Sequence, residues 1–247
     1  IGGTINILTQ GIGNKRGGSL KQEYGTGRFM RTSFSYNTGL LPKGWGLTLS
    51  GSYKQSLGWV EGTPSQGFFG YLKISKQFDK HLLTLSAFAA PQQHGQRSFR
   101  QAIQYWSEDE ARALGCTIDS SMFMSNLGIR YNQHWGYRTV NGKQEVLSER
   151  LNYYNKPQIT LIDFWKVNEK LSISNLAYAS IGRGGGTALY NSGAIIRDSN
   201  LLIDWDAIVE NNKVNPLFGT PNIDTQYSPT EIKSSQILLA SVNNHFW

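Results

Sequence analysis

Residues 45–59 read WGLTLSGSYKQSLGW. Every second residue, from Trp45 through Leu47, Leu49, Gly51, Tyr53, Gln55 and Leu57 to Trp59, is apolar or aromatic, with one small and one polar exception. Between them stand Gly46, Thr48, Ser50, Ser52, Lys54, Ser56 and Gly58. A period of two places alternate side chains on opposite faces of a strand, so this stretch separates an apolar environment from a polar one. The row from Leu47 to Leu57 covers about 33 Å at ~3.3 Å per residue. Soluble strands usually hold only about 3–10 residues.

The same alternation recurs on both sides. In 20–36, Leu20, Tyr24, Met30, Phe34 and Tyr36 share one face, and Lys21, Glu23, Arg31, Ser33 and Ser35 the other; Gln22, Arg28 and Phe29 break the pattern. In 68–78, Phe68, Leu72, Ile74 and Phe78 oppose Tyr71, Lys73, Ser75 and Gln77. In 82–90, Leu83, Leu85, Ala87 and Ala89 oppose Thr84 and Ser86. Further strands are expected over 121–135, 150–166, 170–181 and 234–247. Short turns are expected at 41–44, 78–81 and 166–170, and long connections near 91–120 and 182–233. Short turns at one end and long loops at the other form the pattern of an outer-membrane barrel. Loops this long are uncommon in compact domains. A soluble β-sandwich explains the alternation equally well but the strand and loop lengths poorly. In the barrel reading Trp45 and Trp59 lie near the two membrane interfaces, where aromatic rings settle.

Composition agrees with apolar residues dispersed along strands rather than massed in a core. The 247 residues are 39% hydrophobic, 12% aromatic and 17% charged, with 27 glycines, and mean hydropathy is −0.38. Net charge is +7 and the pI about 9.4. The Lys and Arg residues are scattered, without the block that marks a nucleic-acid tail, so no nucleic-acid partner is expected. The one cysteine, Cys116, can form no internal disulfide and no cysteine zinc site. No apolar run approaches the ~20 residues of a transmembrane helix. The chain opens on Ile1 and ends on Trp247 in mid-pattern; a piece of a longer protein is expected.

The motifs that suggest chemistry are weak. Ser107 to Gly115 reads as a short helix inside a long loop, with Ser107 and Glu110 as a capping box and Gly115 as the stop. Gly182-Arg183-Gly184-Gly185-Gly186-Thr187 lacks the ending of a phosphate-binding loop and reads as a flexible strand-to-loop exit. His81, His94, His134 and His245 show no metal-ligand spacing. The acids Asp198, Asp204, Asp206 and Glu210 read as loop surface, with calcium binding as the alternative. No metal site, cofactor or catalytic arrangement is expected.

Three stretches carry a family resemblance. Ile1-Gly2-Gly3-Thr4-Ile5-Asn6-Ile7-Leu8-Thr9 resembles the last strand of the plug domain of TonB-dependent outer-membrane receptors. Ala89-Ala90-Pro91-Gln92-Gln93-His94-Gly95-Gln96-Arg97 resembles receptors of this family that carry a carboxypeptidase-regulatory-like domain before the plug. So does Leu151-Asn152-Tyr153-Tyr154-Asn155-Lys156-Pro157-Gln158, taken with Ile181-Gly182-Arg183-Gly184-Gly185-Gly186.

The resemblance implies an all-β fold, the N-terminal portion of an antiparallel transmembrane barrel of about 22 strands. Residues 1–14 would be the plug end and linker, and 15–247 the first part of the barrel, about seven strands. It implies active import of a scarce nutrient across the bacterial outer membrane, without enzymatic chemistry. Partners would be TonB with ExbB and ExbD, outer-membrane lipid, a small-molecule, glycan or peptide ligand and, in some relatives, a surface-exposed lipoprotein. Candidate ligand contacts are His94, Arg97, Arg100, Tyr105 and Trp106. Ordering the loop base and anchoring aromatics at the interface are their alternative roles. A passive porin-like barrel and a soluble β-rich carbohydrate-binding module are the other functions in play; the module would pack the apolar faces of 45–59 and 68–78 against each other.

Overall fold

The computed structural model describes residues 13, 15–97, 101–189, 195–214 and 238–246, and every structural statement below refers to these. A ten-stranded sheet dominates. Its strands are β1 (Gly17–Gly25), β2 (Phe29–Asn37), β3 (Trp45–Ser56), β4 (Ser65–Phe78), β5 (His81–Ala89) and β6 (Gln92–Gly95). After a long connection it resumes with β9 (Leu151–Asn155), β10 (Gln158–Lys166), β11 (Ser172–Leu189) and β13 (Leu238–Phe246). All its pairings are antiparallel.

Two prolines hide a simpler order. Across Pro91 the pairing with β4 keeps one register, from Gly70↔Ala89 to Gly67↔Gln92. Across Pro157 the pairing with β11 does the same, from Gln158↔Ser180 to Arg183↔Asn155. Each proline carbonyl still accepts a ladder bond, Phe68 N–H to Pro91 at 2.9 Å and Ile181 N–H to Pro157 at 3.3 Å. Neither can return one, because proline has no N–H. Thus β5 and β6 are one strand, as are β9 and β10, and every strand pairs with its neighbours in chain order.

The connections sort by end. Residues 38–44, 79–80 and 167–171 turn at one end; 26–28, 57–64, 96–150 and 190–237 join strands at the other. The expected stretch 20–36 is therefore a hairpin, not one strand. Gly27 and Arg28 turn it with φ of 66° and 53°, and Tyr24↔Met30 pairing keeps even-numbered residues on one face through the turn. The alternation survives a reversal of direction. Similarly, β3 stops at Ser56, and Trp59 lies in the following turn.

Further expectations fail. Residues 121–134 are turns and irregular backbone, with a strand beginning only at Trp135. The glycine run at 182–186 is the second half of β11, flanked by β9 and β13. A Cβ on Gly184 would stand 2.9 Å from Cβ of Tyr154, and one on Gly186 2.8 Å from the Leu151 carbonyl. The glycines let β9 approach; they do not release the chain into a loop. Pairing through Gly95 likewise carries the strand past residue 91.

Register places Leu47, Ile74, Leu85, Leu161 and Ala177 in one row, and Leu49, Leu72, Ala87, Ile159 and Ala179 in the next, all on one face. The opposite face carries Thr48, Lys73 and Ser86, then Ser50 and Tyr71. Nothing packs on the apolar face: Phe68 is 59% exposed and Ile159 56%. Strands β3 and β4 are edge-to-edge neighbours with their apolar residues on the same side, so the face-to-face packing expected of a soluble module is not made between them.

Candidate functional site: a cap folded over one end of the sheet

The buried apolar side chains, among the described residues, lie in the two long connections. The first connection holds α1 (Ile103–Trp106), α2 (Glu108–Ala113) and the hairpin β7 (Trp135–Val140) with β8 (Lys143–Ser148). The second holds β12 (Ile203–Asp204) and α3 (Trp205–Val214). Together they form a cap with its own core.

Local sequence explains each piece. The Ser107 hydroxyl accepts from the Glu110 N–H at 3.2 Å, while the Ser107 N–H closes α1 onto Ile103 at 2.9 Å. At the other end Gly115, at φ 76°, donates to Arg112, and Cys116 donates to Ala111. This is the Schellman ending that a glycine at that position permits. The hairpin turns on Asn141-Gly142, at φ 50° and 74°, the left-handed pair of a type I′ turn. Asp204 caps α3 by accepting from the Ala207 N–H at 2.8 Å. Trp205, Ile208 and Val209 then repeat at helical spacing into the core.

The two connections lock together. Trp205 is fully buried and its indole N–H donates to the Leu147 carbonyl at 2.9 Å. The Tyr131 hydroxyl donates to the Leu201 carbonyl. Arg197 donates to the carbonyls of Gln133 and Leu201 at 3.1 and 2.8 Å. The turn after β3 joins the cap through Glu61 N–H to the Arg130 carbonyl and Asn132 side chain to the Glu61 carbonyl, both at 2.9 Å. Close approach selects glycine twice. A Cβ on Gly62 would meet the Trp135 ring at 2.0 Å, and one on Gly136 the Ile203 carbonyl at 1.8 Å.

Three of the candidate contacts meet here. Arg97 lies over the Trp106 ring at 4.3 Å and donates to the carbonyls of Ile129 and Tyr131. Trp106 meets Tyr105 edge-on at 4.5 Å. Tyr105 is only 3% exposed and packs with Tyr131 and Trp135 in the cap core. His94 stands apart in β6, paired with Ser65 and Asn152, and Arg100 lies outside the described residues. Arg97 and Trp106 form the seam between cap and sheet, and Tyr105 reaches a ligand only if the cap opens.

Burial holds the Tyr105 and Tyr131 hydroxyls above the ordinary phenol range, with Tyr131 adding to the shift at Tyr105. Bonding to Thr139 above all, with lesser help from Arg138, holds the Asp206 carboxyl below the usual carboxylate range, although burial opposes it. His134 Nδ1 and Glu149 Oε1 lie 2.6 Å apart, with side chains 4% and 5% exposed. Asp198 turns its own loop by accepting from the Asn200 and Leu202 N–H groups at 2.9 Å. Among the described residues no cluster of His, Cys, Asp and Glu could hold a metal ion. What the cap presents outward includes apolar groups, Phe123 at 81% and Ile129 at 61% exposure.

Trp135 and Trp205, loop aromatics whose expected role is anchoring or loop packing, do pack the cap; Tyr131, Leu202 and Ile203, buried beside them, carry no such signal in the sequence. Asn141-Gly142 was the available signal for the hairpin, and Asp204 before Trp205, Ile208 and Val209 the signal for α3. No protein-family model, no curated protein and no solved structure matches the chain.

Proposed function

We propose that this sheet is part of the wall of a β-barrel in the bacterial outer membrane, and that the barrel is a TonB-dependent importer whose cap and lumen admit a scarce polar nutrient. The observation that carries the barrel is the unpartnered apolar face and its borders. Toward the short turns it ends in the row Trp45–Lys76, with the Lys76 ammonium 4.9 Å from the Trp45 ring centre. One row further the Phe78, His81 and Trp165 rings stack at 5.4 Å steps. Toward the cap it ends in Gln55, Gln66, Gln93 and Tyr153, which register places side by side. From Trp45 to Gln55 is about 33 Å along the strand at ~3.3 Å per residue. A tilt of ~40° projects that onto about 25 Å, the height of an outer-membrane apolar band. Water could not leave such a face bare in a soluble protein without a cost proportional to its area.

Energy coupling rests on the resemblance of residues 1–9 to a plug strand and of the two later stretches to receptors of this family; residues 1–9 lie outside the described residues. The polar face, with Ser50, Ser52, Lys54 and Lys73, suits a hydrated plug and a polar or anionic ligand. The cap is the surface that meets the ligand first, with Arg97 and Trp106 at its base.

Two cysteine experiments on the full-length protein in membranes, with Cys116 replaced, test the two halves. A lipid-phase thiol probe is expected to label positions 49 and 85, and a water-soluble reagent positions 50 and 84. Exclusion of the lipid probe from both apolar positions would sink the barrel. A cysteine at position 5 is expected to cross-link to one at 50 or 86 on the polar face. Absence of any such cross-link in a lipid-exposed barrel leaves a passive porin.

A further inference from the structure

The apolar face has a shallow trough where side chains are missing. Register sets Gly51 beside Gly70 and Gly70 beside Ala89. Larger groups stand on either side, Leu49 and Leu72 toward the short turns and Tyr53 and Phe68 toward the cap, the latter two with ring centres 4.6 Å apart. The resulting cavity is about 760 Å³. Phe34 walls its far end, where a Cβ on Gly51 would meet that ring at 2.5 Å.

At the other end the chemistry changes. Past Ala89 the same face carries Pro91, Asn155 and Arg183 in one register row. A second cavity of about 360 Å³ opens there, with Gln66, Gln93, Tyr153, Asn155 and Arg183 on its walls. It shares Phe68 with the apolar trough. The Asn155 side-chain oxygen is buried and has no hydrogen-bond partner, a costly state for a polar atom. The described ion pairs leave Arg183 without a carboxylate. This polar pocket lies where the apolar band gives way to the glutamine row, at headgroup depth.

We propose that trough and pocket form one binding site for a single membrane amphiphile. Its acyl chain lies across Gly70 and Ala89 and ends against the Phe34 ring that covers Gly51, and its anionic head carries a hydroxyl or amine. Arg183 takes the negative charge, and the head's N–H or O–H donor satisfies Asn155. The occupant is a lipid of the leaflet on the cap side. The site rests on the barrel reading, because only a lipid-facing surface meets such a molecule at that depth.

The test uses the full-length protein extracted from its own membranes and read by native mass spectrometry for retained lipid. Gly70→Leu fills the trough without collision, since a Cβ there meets nothing within 4 Å. Arg183→Gln removes the charge and keeps a strand-compatible side chain. The parent protein is expected to retain one acidic lipid, and each variant to lose at least about tenfold of that occupancy. Equal retention in parent and variants, or retention of neutral lipids alone, overturns the site. Lipid-phase labelling at position 85 separates this failure from failure of the barrel. Labelled protein without a variant-sensitive adduct sinks only the site; unlabelled protein sinks the reading beneath it.

Discussion

Gly62 has a conformational reason and a spatial reason to be glycine. Its φ is 62°, and the Trp135 indole fills the space a side chain would need. Gly62→Ala is expected to cost about 1–3 kcal/mol, the usual range for overpacking a tight site. The loss should fall on the cap, read as faster proteolysis within 101–150 while the sheet stays intact. Asp206 gives a pH-dependent counterpart. Its folded carboxyl is held below its unfolded value, so its stabilisation is present above the unfolded pKa of about 4. That stabilisation is lost as pH falls through the folded value. The side chain is 41% exposed, so solvent screening keeps the effect below about 1 kcal/mol. Trp205 fluorescence should report loosening of α3 in acid, and Asp206→Asn should remove part of that acid dependence. Tyr105 and Tyr131 work in the opposite direction. Their neutral forms are favoured by folding, so the cap should lose stability above about pH 10, and spectrophotometric titration should find these two phenols ionising after the exposed tyrosines.

Legibility differed sharply among the elements. Trp45–Ser56 was readable because apolar and polar groups alternate through Tyr53 with only the small Gly51 interrupting the apolar row, and such a strand needs no distant residue to explain it. The β1–β2 hairpin hid because a turn of three residues preserves parity, leaving Leu20, Tyr24, Met30 and Phe34 on one face in either interpretation. The Gly182–Gly186 run misled because glycine usually weakens a strand, and the reason for it, the close approach of Leu151 and Tyr154, lies far away in the chain. Within the site, Arg97 and Trp106 were legible as candidate ligand contacts, but not as partners of each other. The burial of Tyr105 was not legible either, since it depends on Tyr131 and Leu202. The cap helix α2 was legible from both ends, and its N-cap supports a prediction. Ser107→Ala is expected to cost about 1 kcal/mol, seen as earlier hydrogen exchange at Glu110 and Ala111.

At the scale of the molecule, two bodies of different physics share one chain. The cap buries tryptophan and isoleucine in an ordinary protein core; the sheet holds its apolar side chains outward. Detergent or lipid should therefore stabilise the sheet strongly and the cap weakly. Thermal unfolding followed by cap tryptophan fluorescence and by strand circular dichroism is expected to give two midpoints whose separation grows with lipid. A single midpoint insensitive to lipid would mean that the apolar face is covered by protein.

The interlocking of the two long connections also fixes an order of events. Leu147 supplies the acceptor for the Trp205 indole, yet β9, β10 and β11 must be threaded and paired between them. Contacts so far apart in the chain form late, because closing the intervening segment costs entropy before any contact repays it. Closure of the tryptophan pocket is therefore expected to follow the pairing of those strands: a chain stalled with β9 to β11 unpaired leaves Trp205 in water.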